Sequence, residues 1–403
     1  MLGMLSRNNR LLMLALFVWA LGEGLWYINF RQLYLVQLGA TEAQVGLALA
    51  IELAVRALLP IPAGYLADRI GPHRVMVASW FLGVLGTVMC ALATTWQGFI
   101  PGLVVYGISA FAMPSLSAYA IQNMPPGSAR AGQTDRVLAA VFAAYTAGLI
   151  VSPALGGLVA ESWGIRTGLW ISTGVFALST AIVLLTTEVE VTAPPTSERP
   201  ADLLRNRRFQ RLSLYYALIF VAMFTGYQLL PNFLQEARGL TLGYIGLLFS
   251  IDALGTVVLN TVASRLNPRW SLAAALGVYT LALLGIWLFA QPALLAVTFF
   301  GVGALAVVRT LALARAADVV SARNQGLAFG IVETAYAVAA AIAAAAAGQL
   351  YELTPAHDLP LVVALVALPV LIGLWFVVRR QIPALALPDE PHALAAAPEQ
   401  AGR

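Results

Sequence analysis

The chain has 403 residues, of which 60% are hydrophobic and only 10% charged, with a formal net charge of +4. Soluble domains carry about a quarter charged residues, so that class is excluded. Apolar runs long enough to cross roughly 30 Å of hydrocarbon as helices make this an all-α polytopic membrane protein. A positive balance would suit nucleic acid, but all 23 basic residues are arginine and cluster between apolar runs, the pattern that orients a membrane protein.

Twelve apolar segments are expected as helices, at about 11–36, 44–67, 75–95, 98–121, 137–160, 165–187, 211–235, 243–263, 271–290, 293–316, 326–350 and 359–379. Arg7 and Arg10 precede the first, and Ala20-Leu21-Gly22 could pass for a leader cleavage site. Apolar character resumes through Leu25 to Leu38, so a retained first helix is expected. Residues 188–210 contain "TAPPTSERP" and then "LLRNRRFQR", a polar and basic linker between six-helix bundles at 1–187 and 211–380. The tail at 381–403, rich in Pro and Ala, is expected to be disordered. An even helix number puts both termini on one side. If that side is cytoplasmic its segments hold 18 of the 23 arginines, while the other side holds only Arg166 and Arg238.

The halves repeat. Gly39, Thr41, Gly46, Leu47 and Ile51 match Gly239, Thr241, Gly246, Leu247 and Ile251 at an offset of 200, with Glu52 on Asp252 and Tyr27 on Tyr227. "LADRIGPHR" then aligns with "VASRLNPRW" at an offset of 196, matching Ala67, Arg69 and Pro72 to Ala263, Arg265 and Pro268. The change of four residues is close to one helical turn, which preserves the helix face.

The stretch "GYLADRIGPHR" places Gly64, Asp68, Arg69, Gly71, His73 and Arg74 between two apolar segments. Gly64 permits close approach of a neighbouring helix. Asp68 suits an arginine partner and the positive N-terminus of a helix in the other half. The competing reading is that Arg69 and Arg74 only orient the chain. In the fifth segment, "GLIVSPALGG" (148–157) combines a bend at Pro153 with small residues at Gly148, Gly156 and Gly157 that suit close packing, with helix 8 as the expected neighbour.

Two six-helix halves in parallel repeat, joined by a polar linker and carrying G-x-L-A-D-R-x-G between helices 2 and 3, resemble the bacterial-type major facilitator superfamily of secondary transporters. The resemblance implies alternating access and a cytoplasmic gate between the Gly64–Arg74 motif and helix 11, near Gly326. It also implies multi-pass insertion in the bacterial cytoplasmic (inner) membrane with both termini in the cytoplasm. The helix 5 element is similar to one in the drug-efflux antiporter branch, with Ser152 in place of a glycine. Leu103 stands where that branch carries an arginine in helix 4, four residues before Gly107, and the branch's proline-containing element in helix 1 has no clear counterpart.

Ionisable groups within membrane helices are costly and are functional candidates by default. Glu23, Asp252, Glu52 and Glu333 are candidates for proton coupling. A Glu23–Arg56–Glu52 cluster is geometrically possible, with a structural salt bridge as its alternative reading. Asp252 has no basic residue within a turn, and a carboxylate withdrawn from water without a counter-charge gains from taking up a proton. Glu333 is near enough to the cytoplasmic end to belong to the gate, and Arg31 could reach the far interface by snorkelling. Tyr27, Arg56, Tyr145, Tyr227, Gln228, Arg309 and Tyr336 are candidates to line a substrate cavity, as are Trp26 and Tyr34; packing and interfacial anchoring compete for the aromatic ones.

The expected function is proton-coupled efflux, by antiport, of a small apolar or amphipathic compound. A proton-coupled uptake symporter for a sugar, nucleoside or organic anion is the alternative within the class, and lipid flipping is open to the same fold. A non-transporting receptor or assembly factor is the alternative outside it. Partners are the substrate, protons and the lipid bilayer, without nucleic acid, and the chain is expected to be monomeric. No enzyme is expected: neither a Ser/His, paired-Asp or HExxH arrangement nor a GxxxxGK[ST] loop is present. No cofactor or metal is expected either, since Cys90 stands alone and His73, His357 and His392 are scattered.

Overall fold

A computed structural model of the chain describes residues 5–59, 62, 66–67, 69–124, 133–188, 206–320 and 325–381. Gly64 and Asp68, nearly all of the linker before Asn206 and all of the tail after Gln381 lie outside these residues.

The first half contains α1 (Arg7–Trp26, resuming at Arg31–Gln37), α2 (Glu42–Leu58), α3 (Pro72–Leu92), α4 (Trp96–Ile108, then Ala112–Gln122), α5 (Gln133–Trp163) and α6 (Ile165–Leu184). The second contains α7 (Arg207–Tyr227, resuming at Leu230–Glu236), α8 (Leu242–Ala263), α9 (Pro268–Leu288), α10 (Pro292–Val302, then Ala304–Val319), α11 (Gln325–Glu352) and α12 (Leu359–Gln381). Over the described residues, ten of them are long and apolar enough to cross a membrane. The other two are α2, with 17 helical residues in its described run, and α4, interrupted by a 3-10 turn at Ser109–Phe111.

The repeat seen in sequence is also a repeat of local structure. Thr41 and Thr241 cap α2 and α8, their hydroxyls accepting the Gln44 and Tyr244 N–H groups at 3.4 and 3.3 Å. Gly39 and Gly239 make the preceding turns at φ of +87° and +65°, a region glycine enters without a Cβ penalty. The breaks in α1 and α7 also correspond, at residues 27–30 and 228–229.

Alternating helix directions gather Arg7, Arg74, Arg136, Arg207, Arg269 and Arg315 at one end of the bundle, here called the arginine-rich end. Toward the opposite end the halves meet along two seams, α2 on α11 and α5 on α8. Backbones touch there. A Cβ on Gly46 would lie 2.4 Å from the Ala344 carbonyl oxygen, and one on Gly246 would lie 2.2 Å from that of Pro153. Small residues let membrane helices approach this closely, so the molecule is shut at the end opposite the arginines. Leucine and valine face outward around the bundle, for example Leu158, Leu281, Val297 and Val366.

Candidate functional site

In the first half the site centres on Glu52, which is fully buried. Its Oε1 accepts the Tyr27 hydroxyl at 2.6 Å and its Oε2 accepts from Arg31 Nη1 at 2.7 Å. Arg56, one turn along α2, lies 3.6 Å from Oε1 and donates to the Tyr27 oxygen. Both guanidinium groups also sit over the Tyr27 ring, at 4.2 and 5.4 Å from its centroid. A buried carboxylate needs this kind of pairing to remain charged. Arg31 therefore does not snorkel: the break after Tyr27 turns it inward, and only 8% of the residue is exposed.

Glu23 makes no direct ion pair with Arg56 among the described residues, although it lies within electrostatic reach of that guanidinium. It accepts the Tyr106 hydroxyl of α4 at 2.8 Å and the Tyr145 hydroxyl of α5, and it has no ion pair among the described residues. Tyr106 is one residue before Gly107, on the helix where the arginine of the efflux branch is missing. It is a site residue the sequence reading passed over, as is the inward role of Arg31.

In the second half Asp252 takes the place of Glu52 and accepts the Tyr227 hydroxyl at 3.2 Å, its only side-chain hydrogen bond among the described residues. At the offset of 200, Arg31 becomes Pro231 and Arg56 becomes Thr256. The phenol–carboxylate pair is kept in both halves, but both guanidinium groups are gone from the second.

The expected contact of Glu333 with the gate motif falls on Gly64 and Asp68, outside the described residues; its described partner is Arg309. The two make a two-pronged pair, Nε to Oε1 at 3.0 Å and Nη2 to Oε2 at 2.7 Å, and Arg309 lies 5.0 Å over the Tyr336 ring. Both partners of this pair remain partly exposed. Arg309 is within electrostatic reach of Tyr145, and Arg56 of Tyr336, so the two sets of groups face each other across the halves. Gln228 is buried, its amide 3.4 Å from the Ala340 carbonyl. Trp26 and Tyr34 are buried among the aromatic rings of the first half.

The helix 5 glycines divide between two neighbours. Gly148 and Gly156 lie against α1, where a Cβ would meet the Ala20 methyl at 2.6 Å or the Gly24 carbonyl at 2.4 Å. Only Gly157 faces α8, 2.6 Å from the Leu242 carbonyl by the same measure. Ser152 bonds the Ala20 carbonyl, and the Ala154 N–H beyond Pro153 donates to Ser250 across the halves at 3.0 Å.

In the gate motif, Gly71 takes φ +92° as the N-cap of α3. His73 bonds Thr186 at 3.0 Å and Arg74 pairs with Glu188, so these two side chains work within their own half. Arg69 is exposed. A crevice of about 410 Å³ between α1, α5 and α6 is lined by Leu21, Leu155, Val159 and Ile171, on the apolar exterior and away from these groups.

A bundle of repeated membrane halves with ionisable side chains facing each other at mid-depth is the architecture of a membrane transporter. The chain belongs to the Major Facilitator Superfamily, whose sequence pattern matches residues 12–266 and 212–401. It is 30% identical over 238 residues to an MFS-type efflux pump of Mycolicibacterium smegmatis, covering 55% of this chain and 54% of that one. It is 25% identical over 241 residues to the multidrug resistance protein MdtL of Klebsiella pneumoniae, covering 58% and 60%. The matches thus span less than two thirds of either relative. Among solved structures, the nucleoside transporter NupG superposes with a TM-score of 0.78 at 14% identity, over 92% of this chain and all of that one. A bacterial homolog of the human lysosomal transporter Spinster, inward-facing and occupied, gives 0.75 at 16% identity, over 92% and 96%. At these identities the likeness is one of fold.

Proposed function

We propose that this transporter exports a small apolar or amphipathic compound in exchange for protons, its two bundles at 1–187 and 211–380 rocking about the site between them. In this reading the arginine-rich end is cytoplasmic, in a bacterial inner membrane, with residues 188–210 as the linker on that side. The supporting observation is the asymmetry of the two repeated carboxylates. Glu52 is held between Arg31 and Arg56, so its charge is matched throughout the cycle. Asp252 has the Tyr227 hydroxyl alone among the described residues, and its charge is matched by taking up a proton. Glu23, between two phenols, is the second candidate carrier.

Coupling follows if substrate and proton compete. Protonation of Asp252 releases the Tyr227 hydroxyl and discharges the site, and deprotonation toward the cytoplasm restores it for substrate. Tyr145, Tyr227 and Tyr336 offer aromatic surface to an amphipathic molecule, with Arg56, Arg309 and Gln228 as polar contacts. Export is favoured by the two sequence relatives, an efflux pump and a multidrug resistance protein.

The test is flux in proteoliposomes carrying an internal pH-sensitive dye, with cationic dyes, antibiotics, sugars and organic anions supplied under an imposed pH gradient. Proton movement opposite to substrate, lost in Asp252→Asn or Glu23→Gln, is the expected result. Co-directional flux would make the protein a symporter. Substrate movement without proton flux, unchanged in both variants, would overturn the coupling.

A further inference from the structure

Two glutamates bridge the halves at the end opposite the arginines, and the transport site uses neither. Glu161, near the end of α5, accepts the Gly243 N–H at 2.7 Å. Glu352, the last residue of α11, accepts the Ala43 N–H at 2.9 Å. Gly243 and Ala43 are the second residues of α8 and α2. The first N–H groups of a helix have no partner within it and carry its positive end. Thr41 and Thr241 satisfy one such group on each helix, and a glutamate from the other half satisfies another.

The two bonds are related by the internal repeat. Residues 43 and 243 differ by the offset of 200 that aligns α2 with α8, and 161 and 352 differ by 191. The same 191 separates Gly157 from Gly348, each one helical turn before its glutamate. Those glycines make the backbone contacts of the two seams: a Cβ on Gly348 would come 2.6 Å from the Glu42 carbonyl, and one on Gly157 2.6 Å from that of Leu242. Glycine followed four residues later by glutamate therefore forms a packing surface and a bond at matching places on both seams.

We propose that Glu161 and Glu352 are paired positioning residues that hold this end of the transporter shut, and that opening it requires both bonds to break. Both side chains are exposed, so water replaces each backbone donor when a seam parts. That makes the bonds reversible, unlike the buried pairs around Glu52. Losing a carboxylate from a helix N-terminus should raise the open-to-shut ratio roughly tenfold at each seam, and roughly a hundredfold when both are lost, because separated sites add.

The proposal rests on the alternating-access reading, but its test needs neither substrate nor protons. In a Cys90→Ser background, spin labels at Gln37→Cys and Ala237→Cys report the separation of the halves at this end by pulsed dipolar spectroscopy in lipid. Glu161→Ala and Glu352→Ala are each expected to move population to the longer distance, the double variant most, and the glutamine variants by an intermediate amount. Gly243→Ala is a second route, since its Cβ would lie 2.3 Å from the Glu161 carboxylate and displace it without altering it. A double alanine variant with unchanged thermal stability and the parent distance distribution would overturn the gate and leave the proton-coupling reading untouched. Shifted distances with no proton-linked flux would do the reverse.

Discussion

Glu52 and Asp252 occupy the same position in the two halves, and each accepts a hydroxyl from the tyrosine 25 residues before it, at 2.6 and 3.2 Å. Among the described residues only Glu52 is paired with arginines. Opposite consequences follow for removing the two charges. Glu52→Gln leaves Arg31 and Arg56 without their buried counter-charge and should cost about 3–5 kcal/mol. Asp252→Asn strands no partner charge and should cost less than about 1 kcal/mol. Thermal unfolding of the two purified variants in the same detergent checks the contrast. Equal losses would mean that Asp252 has a structural partner of similar weight.

A second contrast lies in the glycines. Gly246→Ala places a methyl 2.2 Å from the Pro153 carbonyl, a backbone atom that cannot turn aside. The α5–α8 seam then has to give way. Gly277, on α9, has nothing within 4 Å of an added Cβ, and alanine there should gain up to about 1 kcal/mol of helix propensity. The prediction is a large fall in melting temperature for Gly246→Ala and none for Gly277→Ala. The same pair, read with the labels at residues 37 and 237, should show lengthened distances only in the first.

Run length and repetition are the features that hydropathy carries, so the twelve helices and the match of Tyr27 and Glu52 to Tyr227 and Asp252 were legible in the sequence. The neighbours of each face were not. Gly156 and Gly157 are consecutive, and a helix turns about 100° between them, so one meets α1 and the other α8; spacing alone does not choose. Arg31 was misread for a related reason. A continuous helix would carry it toward the interface, but the turn at residues 27–30 redirects it to Glu52, and that turn contains neither proline nor glycine. The breaks in α7 and α10 did carry a signal, in Pro231 and Gly303 beside them. Glu333 lay near enough to one end to suggest the gate, and only the packing of α10 on α11 shows Arg309 beside it.

The two phenols on Glu23 give a third prediction. Tyr106 and Tyr145 come from different helices and donate to different oxygens of one carboxylate. Either phenylalanine variant leaves one donor in place, while the pair leaves Glu23 with none among the described hydrogen bonds. Each single change should cost about 1–3 kcal/mol. The double should depart from the sum by at least about 0.5 kcal/mol, as expected of groups sharing a partner. A double-mutant cycle on thermal stability measures this, and strict additivity would show that the hydroxyls act independently of Glu23.

The last prediction concerns a pair that should not matter for stability. Arg74 and Glu188 make an ion pair whose side chains are 63% and 50% exposed. Water solvates both ends when the pair breaks, and holding two long side chains together costs entropy, so an exposed pair is worth about 0–1 kcal/mol. Glu188→Gln should therefore leave the melting temperature within error of the parent at ordinary salt, as raising the salt should for the parent itself. His73 sets the comparison on the same helix. It is bonded to the buried Thr186 and lies against the Tyr119 ring, tilted by 38° at 5.4 Å, so His73→Ala loses packing as well as a hydrogen bond. Thermal melts of Glu188→Gln and His73→Ala should separate clearly, with the histidine variant the less stable. A larger loss for Glu188→Gln would mean that Glu188 has a second partner beyond Arg74.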